Sequence, residues 1–409
     1  MAIDNSIRRT SQRAMKFMVF VGFAVAVTLY AQENEQSRAG GQGRDTATTR
    51  TSASDGPLEV LTADDRKRVE EAVERAIPWL ATQQEQDGSF PTIDMGEPGV
   101  TSICLLGFMA HGHNPSEGQY GERLERAIDF ILSCQKENGL IAVRAPEEPQ
   151  ITRRVPHEVG QTTVYNHAIA ALALSEVYGM GQSKRAEQIE KAINKALAAT
   201  LEMQRWPKQR GAIDEGGWRY IDRFTQDDSD LSITGWQLMF LRSARNAGFN
   251  VPEKAINDAV GYVQRCFSEE YGAHGYVTGP GDHRSRAMGG AGILALAHAG
   301  YHNSSEAKRT GEWLLQFTFE DYNSDDGLAR DRYHYSLFNC CQSMYQLGSP
   351  YYEQFFPTAV RNVLKHQRPE GSWDLESFDL DKPFGNSYTT ALVLLALAAP
   401  NEILPIFQR

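Results

Sequence analysis

The stretch Gln367-Arg368-Pro369-Glu370-Gly371-Ser372-Trp373, followed after a polar loop by Y-T-T-A-L-V-L-L-A-L-A-A at 388–399, decides the fold. Val360, Val363 and Leu364 come just before it, with the spacing of a helix that has one apolar stripe. The segment after it is apolar on nearly every face, which is typical of a helix covered on all sides. The pattern predicts an amphipathic helix, a glycine turn and a buried helix.

The same pattern occurs five more times along the chain. The turns contain Gly88, Gly139, Gly216-Gly217, Gly275 and Gly327, and they lead to predicted buried helices at 100–109, 165–178, 231–247, 287–299 and 333–347. An open solenoid needs polar caps at its ends, but the last buried helix is as apolar as the middle ones. We therefore predict an all-α protein in which residues 58–409 form an α/α toroid of six helical hairpins, with inner and outer rings of helices.

The first 57 residues have a different composition. Four basic residues (Arg8, Arg9, Arg13 and Lys16) precede an uncharged apolar run at 17–30 and then Ala31. This pattern predicts a signal peptide over 1–31 and an exported protein, periplasmic or extracellular. An uncleaved segment would instead tether the protein to the inner membrane. Residues 32–57 are small and polar, which is typical of a disordered linker.

The whole-chain charge narrows the classes of partner. The formal net charge is −11, which argues against a nucleic-acid partner because phosphate backbones select basic faces. The sequence does not fix the oligomeric state, and we predict neither a cofactor nor a bound metal.

The turn residues resemble a known repeat. Gln367-x-x-x-Gly371-x-Trp373 is similar to the QW repeat of terpene cyclases and protein prenyltransferase β subunits, and weaker copies start at Gln84 and Gln135. The resemblance implies a single-toroid member of the prenyltransferase and squalene cyclase repeat family. It also implies that the chemistry lies in the central cavity, near the loops that lead into the inner helices.

One such loop carries a group of acids. The sequence Asp227-Asp228-Ser229-Asp230-Leu231-Ser232 resembles the D-x-D-D-T motif of class II terpene cyclases, whose middle Asp protonates an alkene. By this resemblance Asp228 and Asp230 match the first two acids, and Asp230 is the candidate catalytic acid. Leu231 stands in place of the third Asp. The alternative is that these residues only cap a helix.

A second loop resembles a zinc-binding segment. Arg330-Asp331-Arg332-Tyr333-His334 is similar to the R-D-x-Y-H segment of prenyltransferase β subunits, whose His binds zinc. This makes Asp331 and His334 candidate catalytic residues. Asp282 and His283 would have to complete a zinc site, since the family's Cys is absent here. The alternative is a hydrogen-bonded His at a helix start.

Other polar and aromatic residues near these loops are candidate ligand-binding residues. They are Tyr165, His167, Trp218, Trp236, Arg284, Arg286, Tyr333 and Tyr388. The two arginines would bind an anionic group or pair with acids around the ring. We expect Asp228, Asp230, Arg284, His334 and His167 to face one shared cavity.

Three functions remain open at this stage, and the sequence does not decide whether the chain is an enzyme. The first is a terpenoid-handling, cyclase-like enzyme with an acid-lined central cavity. The second is an exported carbohydrate-active lyase or hydrolase that binds a glycan. The third is a non-enzymatic repeat scaffold or binding protein. A cavity lined by aromatic residues would favour the cyclase-like enzyme. A solvent-filled groove lined by Asp, Arg and His would favour the carbohydrate-active enzyme, and a filled centre would favour the scaffold.

Overall fold

The computed structural model describes residues 60–181, 183–222, 227–279, 283–324 and 331–409. The predicted signal peptide and linker lie outside these ranges. The described residues form twelve α-helices and one short hairpin of β1 (Phe267–Ser268) and β2 (Ala273–His274). The helices are α1 (Ala63–Gln83), α2 (Gly99–Ala110), α3 (Gly121–Ser133), α4 (His157–Met180), α5 (Ala186–Gln204), α6 (Leu231–Asn246), α7 (Glu253–Arg265), α8 (Arg286–His298), α9 (Ser305–Leu314), α10 (Tyr333–Leu347), α11 (Tyr351–Lys365) and α12 (Gly385–Leu397). The prediction of a mainly helical chain is confirmed.

The even-numbered helices form an inner ring. Each contacts the next along the chain, and α12 contacts α2, so the ring closes. Every residue of α2 is buried, whereas α3 buries one face that includes Leu124, Ala127, Ile128 and Ile131. The odd-numbered helices pack outside, and α11 contacts α1. The difference follows from the sequence pattern, because only a helix apolar on all sides can be enclosed on all sides.

Four glutamine side chains join neighbouring outer helices. Each lies at or just after the end of an outer helix, and its Nε2 donates to two backbone carbonyls: that of its own turn glycine, and one on the next outer helix. We call this arrangement the glutamine clamp. Its members are Gln84 (to Gly88 and Arg123), Gln135 (to Gly139 and Ala192), Gln204 (to Gly216 and Ala255) and Gln367 (to Gly371 and Ala72), at 2.8–3.3 Å. The bond from Gln367 to Ala72 connects the last pair of helices to the first.

The turn glycines are required by close packing. Gly371 has a φ of +107°, and a Cβ at this position would overlap the carbonyl group of Arg75 on α1. The glycines of the other three clamps also have positive φ and meet a carbonyl of the next outer helix in the same way. A side chain is therefore excluded by backbone conformation and by space.

An aromatic residue follows three of the four clamp glycines and fixes the turn to the inner helix. The N–H of Trp373 donates to Thr390 Oγ1 at 3.1 Å, and its indole Nε1 donates to the Val363 carbonyl at 2.9 Å. Trp218 makes the corresponding bonds to Thr234 and Thr200. These indoles are fully enclosed and hold the turns in place.

The C-terminal segment covers one end of the ring. The carbonyl of Phe407 accepts from Gln346 near the end of α10, and the N–H of Ile406 donates to Glu176 near the end of α4. The segment thus lies over the carboxyl ends of the inner helices, and the loops lie at their amino ends. None of the helices within the described ranges is both long and apolar enough to cross a membrane.

Gly371→Ala should lower the unfolding temperature by much more than Gly248→Ala. Both glycines have positive φ, +107° and +93°, so both variants carry a backbone cost of about 1–2 kcal/mol. Nothing lies within 4 Å of a Cβ at Gly248, whereas a Cβ at Gly371 would press on α1. Calorimetry of both variants measures the difference. Equal losses would show that ring closure does not depend on this contact.

Candidate active site

Five tyrosines converge where the amino ends of the inner helices meet. They are Tyr165, Tyr220, Tyr276, Tyr335 and Tyr388, which come from the second to the sixth helix pair, and we call them the tyrosine ring. The hydroxyls of Tyr220 and Tyr276 lie 3.0 Å apart. Burial raises the pKa of Tyr165, and the nearby Asp230, Tyr220 and Tyr335 raise it further. All but Tyr335 keep part of their surface accessible.

Asp230 lies beside this ring as the N-cap of α6. Its Oδ1 accepts from the N–H of Ile233 at 2.8 Å. Its Oδ2 is buried and has no hydrogen-bond partner among the described residues. Burial raises the pKa of Asp230 to about 6, although the charge of Arg219, the Ile233 N–H and the Tyr276 hydroxyl lower it. The carboxyl is therefore easier to protonate than an ordinary Asp.

Arg219 is the cation nearest to this acid among the described ion pairs. Its Nε lies 4.0 Å from Asp230 Oδ2, and its Nη1 lies 3.5 Å from Asp227. The guanidinium also lies over the rings of Tyr220 (5.0 Å) and Tyr276 (5.4 Å). Asp227 takes a second partner, Arg210, at 2.8 Å. Arg219 thus holds the tyrosine pair and the acid together.

A small cavity lies below the ring, between α6, α8 and α10. It has a volume of about 10 Å³ and is lined by residues that include Ser232, Trp236, Tyr335 and Asn339, so it has room for about one water molecule. The Tyr335 hydroxyl accepts from Trp236 Nε1 at 3.1 Å and lies 3.1 Å from the Ser232 hydroxyl. Trp236 stacks on Phe338 at 5.7 Å. The centre is therefore almost filled at this depth.

Asp228 lies in a separate network. Its Oδ1 accepts from Arg153 at 3.0 Å, and its Oδ2 accepts from the N–H of Gln209 at 2.8 Å. Lys208 donates to its carbonyl and to that of Gly217, and burial lowers the pKa of this lysine to about 8. These bonds fix the loop before α6, and Asp228 does not share a cavity with Asp230.

His167 is enclosed between the inner and outer rings. Its Nδ1 accepts from the N–H of Ile141 at 3.2 Å, and its Nε2 lies 2.9 Å from the Thr200 hydroxyl. Burial lowers its pKa to about 4, so the imidazole is neutral. It takes the place of the threonine that supports the turn in other pairs.

The candidates of the fifth pair form two local networks. Asp331 pairs with Arg286, which also binds Asp321 at 2.8 Å. Of the two interpretations given for Arg286 from the sequence, the one in which it pairs with acids agrees with these contacts. The His334 Nδ1 donates to Glu376 at 2.7 Å, and its Nε2 lies 3.3 Å from the Tyr322 hydroxyl.

The remaining candidates lie apart from the ring. The Tyr333 hydroxyl donates to the Phe319 carbonyl, and Arg284 lies 3.3 Å above the ring of Tyr271. Trp218 belongs to a turn. Asp282 lies outside the described residues, within which no three His, Cys, Asp or Glu side chains are placed to hold a metal ion. Asp230, Tyr165, Trp236 and Tyr388 are thus brought together at the centre, and the roles predicted for the others stay predictions.

Several residues of the site were not singled out from sequence. Arg219, Tyr276 and Tyr335 lie in or next to loops whose paths do not follow a helical period. Tyr335 and Tyr388 share a signal, since both stand in the first turn of an apolar helix. Gln204 was also missed, because its spacing differs from that of the motif. Gln204 lies twelve positions before Gly216, whereas Gln367 lies four positions before Gly371.

Comparison with solved structures supports the toroid. The type II terpene cyclase MstE from Scytonema, in complex with geranylgeranyl dihydroxybenzoate (substrate), is 14% identical, with a TM-score of 0.51 over 84% of this chain and 100% of that chain. D-mannose isomerase is 14% identical, with a TM-score of 0.54 over 84% and 99%. An alpha-amylase from Clostridium perfringens is 12% identical, with a TM-score of 0.50 over 80% and 97%. No family model and no curated protein matches the sequence. These likenesses are of fold, which is shared by a cyclase and by two carbohydrate-active enzymes.

Asp230→Asn should become increasingly stabilising as the pH rises from 4 to 6. The pKa of this group moves from 3.8 in the unfolded chain to about 6 in the folded one. Between these values the folded protein binds more protons, so its stability falls as the pH rises, by up to about 1.4 kcal/mol per pH unit. Asparagine removes this loss and still caps a helix. Urea unfolding of both proteins at several pH values checks the trend, and a constant difference would contradict it.

Proposed function

We propose that this chain is a cyclase-like enzyme in which Asp230 protonates a carbon–carbon double bond of an isoprenoid small molecule. The observation that carries the proposal is Asp230 itself: a buried carboxyl with a raised pKa, whose Oδ2 has no donor among the described residues, beside the tyrosine ring. The terpene cyclase with a similar fold, in complex with a geranylgeranyl substrate, is consistent with a small-molecule ligand.

The proposed reaction begins with proton transfer. The O–H bond of protonated Asp230 breaks and a C–H bond forms at one alkene carbon, which leaves a positive charge on the other carbon. A second double bond of the same molecule attacks this cation and closes a ring. Loss of a proton to a base then restores an alkene, so the product is an isomer of the substrate.

The tyrosine ring suits such a cation. Aromatic faces attract positive charge, more strongly where water is excluded. Tyr335 lies near both Tyr165 and Tyr388, and Trp236 donates to its hydroxyl. Burial holds the pKa values of Tyr165, Tyr276 and Tyr388 well above the usual range, so these side chains stay neutral and do not consume the cation as phenolates.

A carbohydrate-active enzyme is the second candidate, because the tyrosine hydroxyls and Arg219 offer polar partners for a sugar and two structural neighbours act on carbohydrates. Glycosidases generally need two carboxyl groups that act on one bond. Near the centre, the carboxylates next to Asp230 are already held by arginines: Asp227 by Arg210, and Asp381 by Arg332. The nearest cation to Asp230, Arg219, lies 4.0 Å away, so Asp230 is held less tightly than these two acids, which favours it as the proton donor to an alkene.

We further propose that the six helix pairs are copies of one repeat and that the protein is exported after cleavage behind Ala31. The recurring glutamine clamps support the first statement. The basic and apolar segments of 1–31 support the second. N-terminal sequencing of the mature protein would give Gln32 as its first residue, and an intact N-terminus on membrane-bound protein would favour an anchor.

Asp230→Asn should reduce turnover at least 100-fold while the protein stays folded, because an amide cannot donate the required proton. The assay incubates the enzyme with farnesol, geranylgeraniol and a prenylated dihydroxybenzoate in D₂O. The carboxyl proton exchanges with solvent, so mass spectrometry should show a cyclic isomer that carries one deuterium.

Glu176→Gln is the matched control, since it removes a buried carboxyl at the closed end of the ring, where the Glu176 pKa is raised to about 7 by burial. It should leave turnover within about threefold. Unchanged turnover in Asp230→Asn, or product without deuterium, would rule out Asp230 as the acid. Turnover of a sugar but not of any isoprenoid would select the second candidate.

A further inference from the structure

A cleft opens beside the amino end of α4. It has a volume of about 440 Å³ and is lined by Ile93, Asp94, Met95, Arg144, Glu158 and Val159. This volume is in the range of small-molecule sites. The lining mixes three apolar side chains with three charged ones, so the cleft suits a ligand that has both an apolar and a polar part.

The cleft lies at the amino end of the helix that carries Tyr165. Glu158 is in the first turn of α4 and stands seven residues before Tyr165, which places both on one face of the helix about 10 Å apart. Asn166, next to Tyr165, donates to the carbonyl of Met95 at 2.8 Å, so the loop that forms the other wall is tied to the same helix. The two walls of the cleft are thus fixed to the helix that also carries Tyr165.

The charged side chains of the cleft determine which polar groups of a ligand can bind there. Asp94 and Glu158 are acidic and Arg144 is basic, which gives a formal charge of −1 in a protein of net charge −11. Arg144 already pairs with Asp94 at 2.7 Å, with both side chains more than half exposed. Such a pair is weak and leaves the acids available to a ligand. A diphosphate, with several negative charges, would be repelled.

We propose that this cleft is the vestibule of the central site and holds the head group of the substrate, and that this head group is neutral or cationic and not a diphosphate. The proposal rests on the proposed function for the isoprenoid part, which would extend from the cleft past Tyr165 into the tyrosine ring. Asp94 and Glu158 accept hydrogen bonds from a hydroxyl or ammonium group, and Met95, Ile93 and Val159 contact the first carbons of the chain.

The test measures equilibrium binding of farnesylamine, farnesol and farnesyl diphosphate to the full chain by calorimetry. Wild-type protein should bind the amine and the alcohol at least tenfold more tightly than the diphosphate. Glu158→Lys changes the local charge from −1 to +1 and should weaken amine binding and tighten diphosphate binding, each by about tenfold. Farnesol should change by less than threefold, because it carries no charge.

Glu190→Lys is the matched control, since it makes the same charge change at an exposed position of α5 in the outer ring. Equal effects of the two substitutions, preferred binding of the diphosphate by wild-type protein, or no binding of any probe would overturn the vestibule. The binding assay needs no turnover. Selective binding that Glu158→Lys reverses, together with no product from any isoprenoid, would uphold the cleft and reject the proposed reaction.

Discussion

The side-chain amide of Gln367 is the interaction on which the closed ring depends most directly. It donates to Ala72 on the first outer helix and to the Gly371 carbonyl of its own turn. The other three clamps join outer helices that follow one another along the chain, but this clamp joins the last outer helix to the first, across 295 positions. A partly buried amide that satisfies two carbonyls costs free energy to disrupt, because both carbonyls lose their partner. The glycine beside it is needed for the approach, since any side chain there would meet α1.

Closure explains why the inner helices are buried on nearly every side and why the polar site is at one end. The carboxyl ends are covered by the C-terminal segment, which Glu176 and Gln346 hold. The amino ends receive the loops, and each loop leaves its turn in a fixed direction because Trp218, Trp373 and their threonine partners fix the turn. Tyrosines from five successive pairs, two in loops and three on inner helices, therefore come together at this end of the ring.

The sequence predicted the helices well because apolar periodicity is local. The sequence also indicated Asp230, because a group of acids directly before an apolar run is a recognisable pattern. It did not predict which polar residues share a space. Asp228 is two residues from Asp230 but pairs with Arg153, and His167 faces the outer ring because the side-chain direction at a given helix position depends on packing. Arg219 and Tyr276 reach Asp230 from loops of 205–230 and 266–285, and no pattern in those segments fixes their path.

Leu231 shows how the site differs from the motif it resembles. In D-x-D-D-T a further carboxyl stands next to the acid, and like charges keep a proton shared. Here the buried Leu231 side chain adds no charge, and its N–H donates to the carbonyl of Tyr276 at 2.8 Å. That bond holds the tyrosine whose hydroxyl flanks Asp230, and burial is the main cause that raises the pKa of the acid, with a smaller contribution from the charge of Asp227. Arg219 opposes this rise. The pKa of Asp230 is therefore raised only moderately, to about 6, and how much water the bound molecule removes from around Asp230 would determine the fraction that carries a proton.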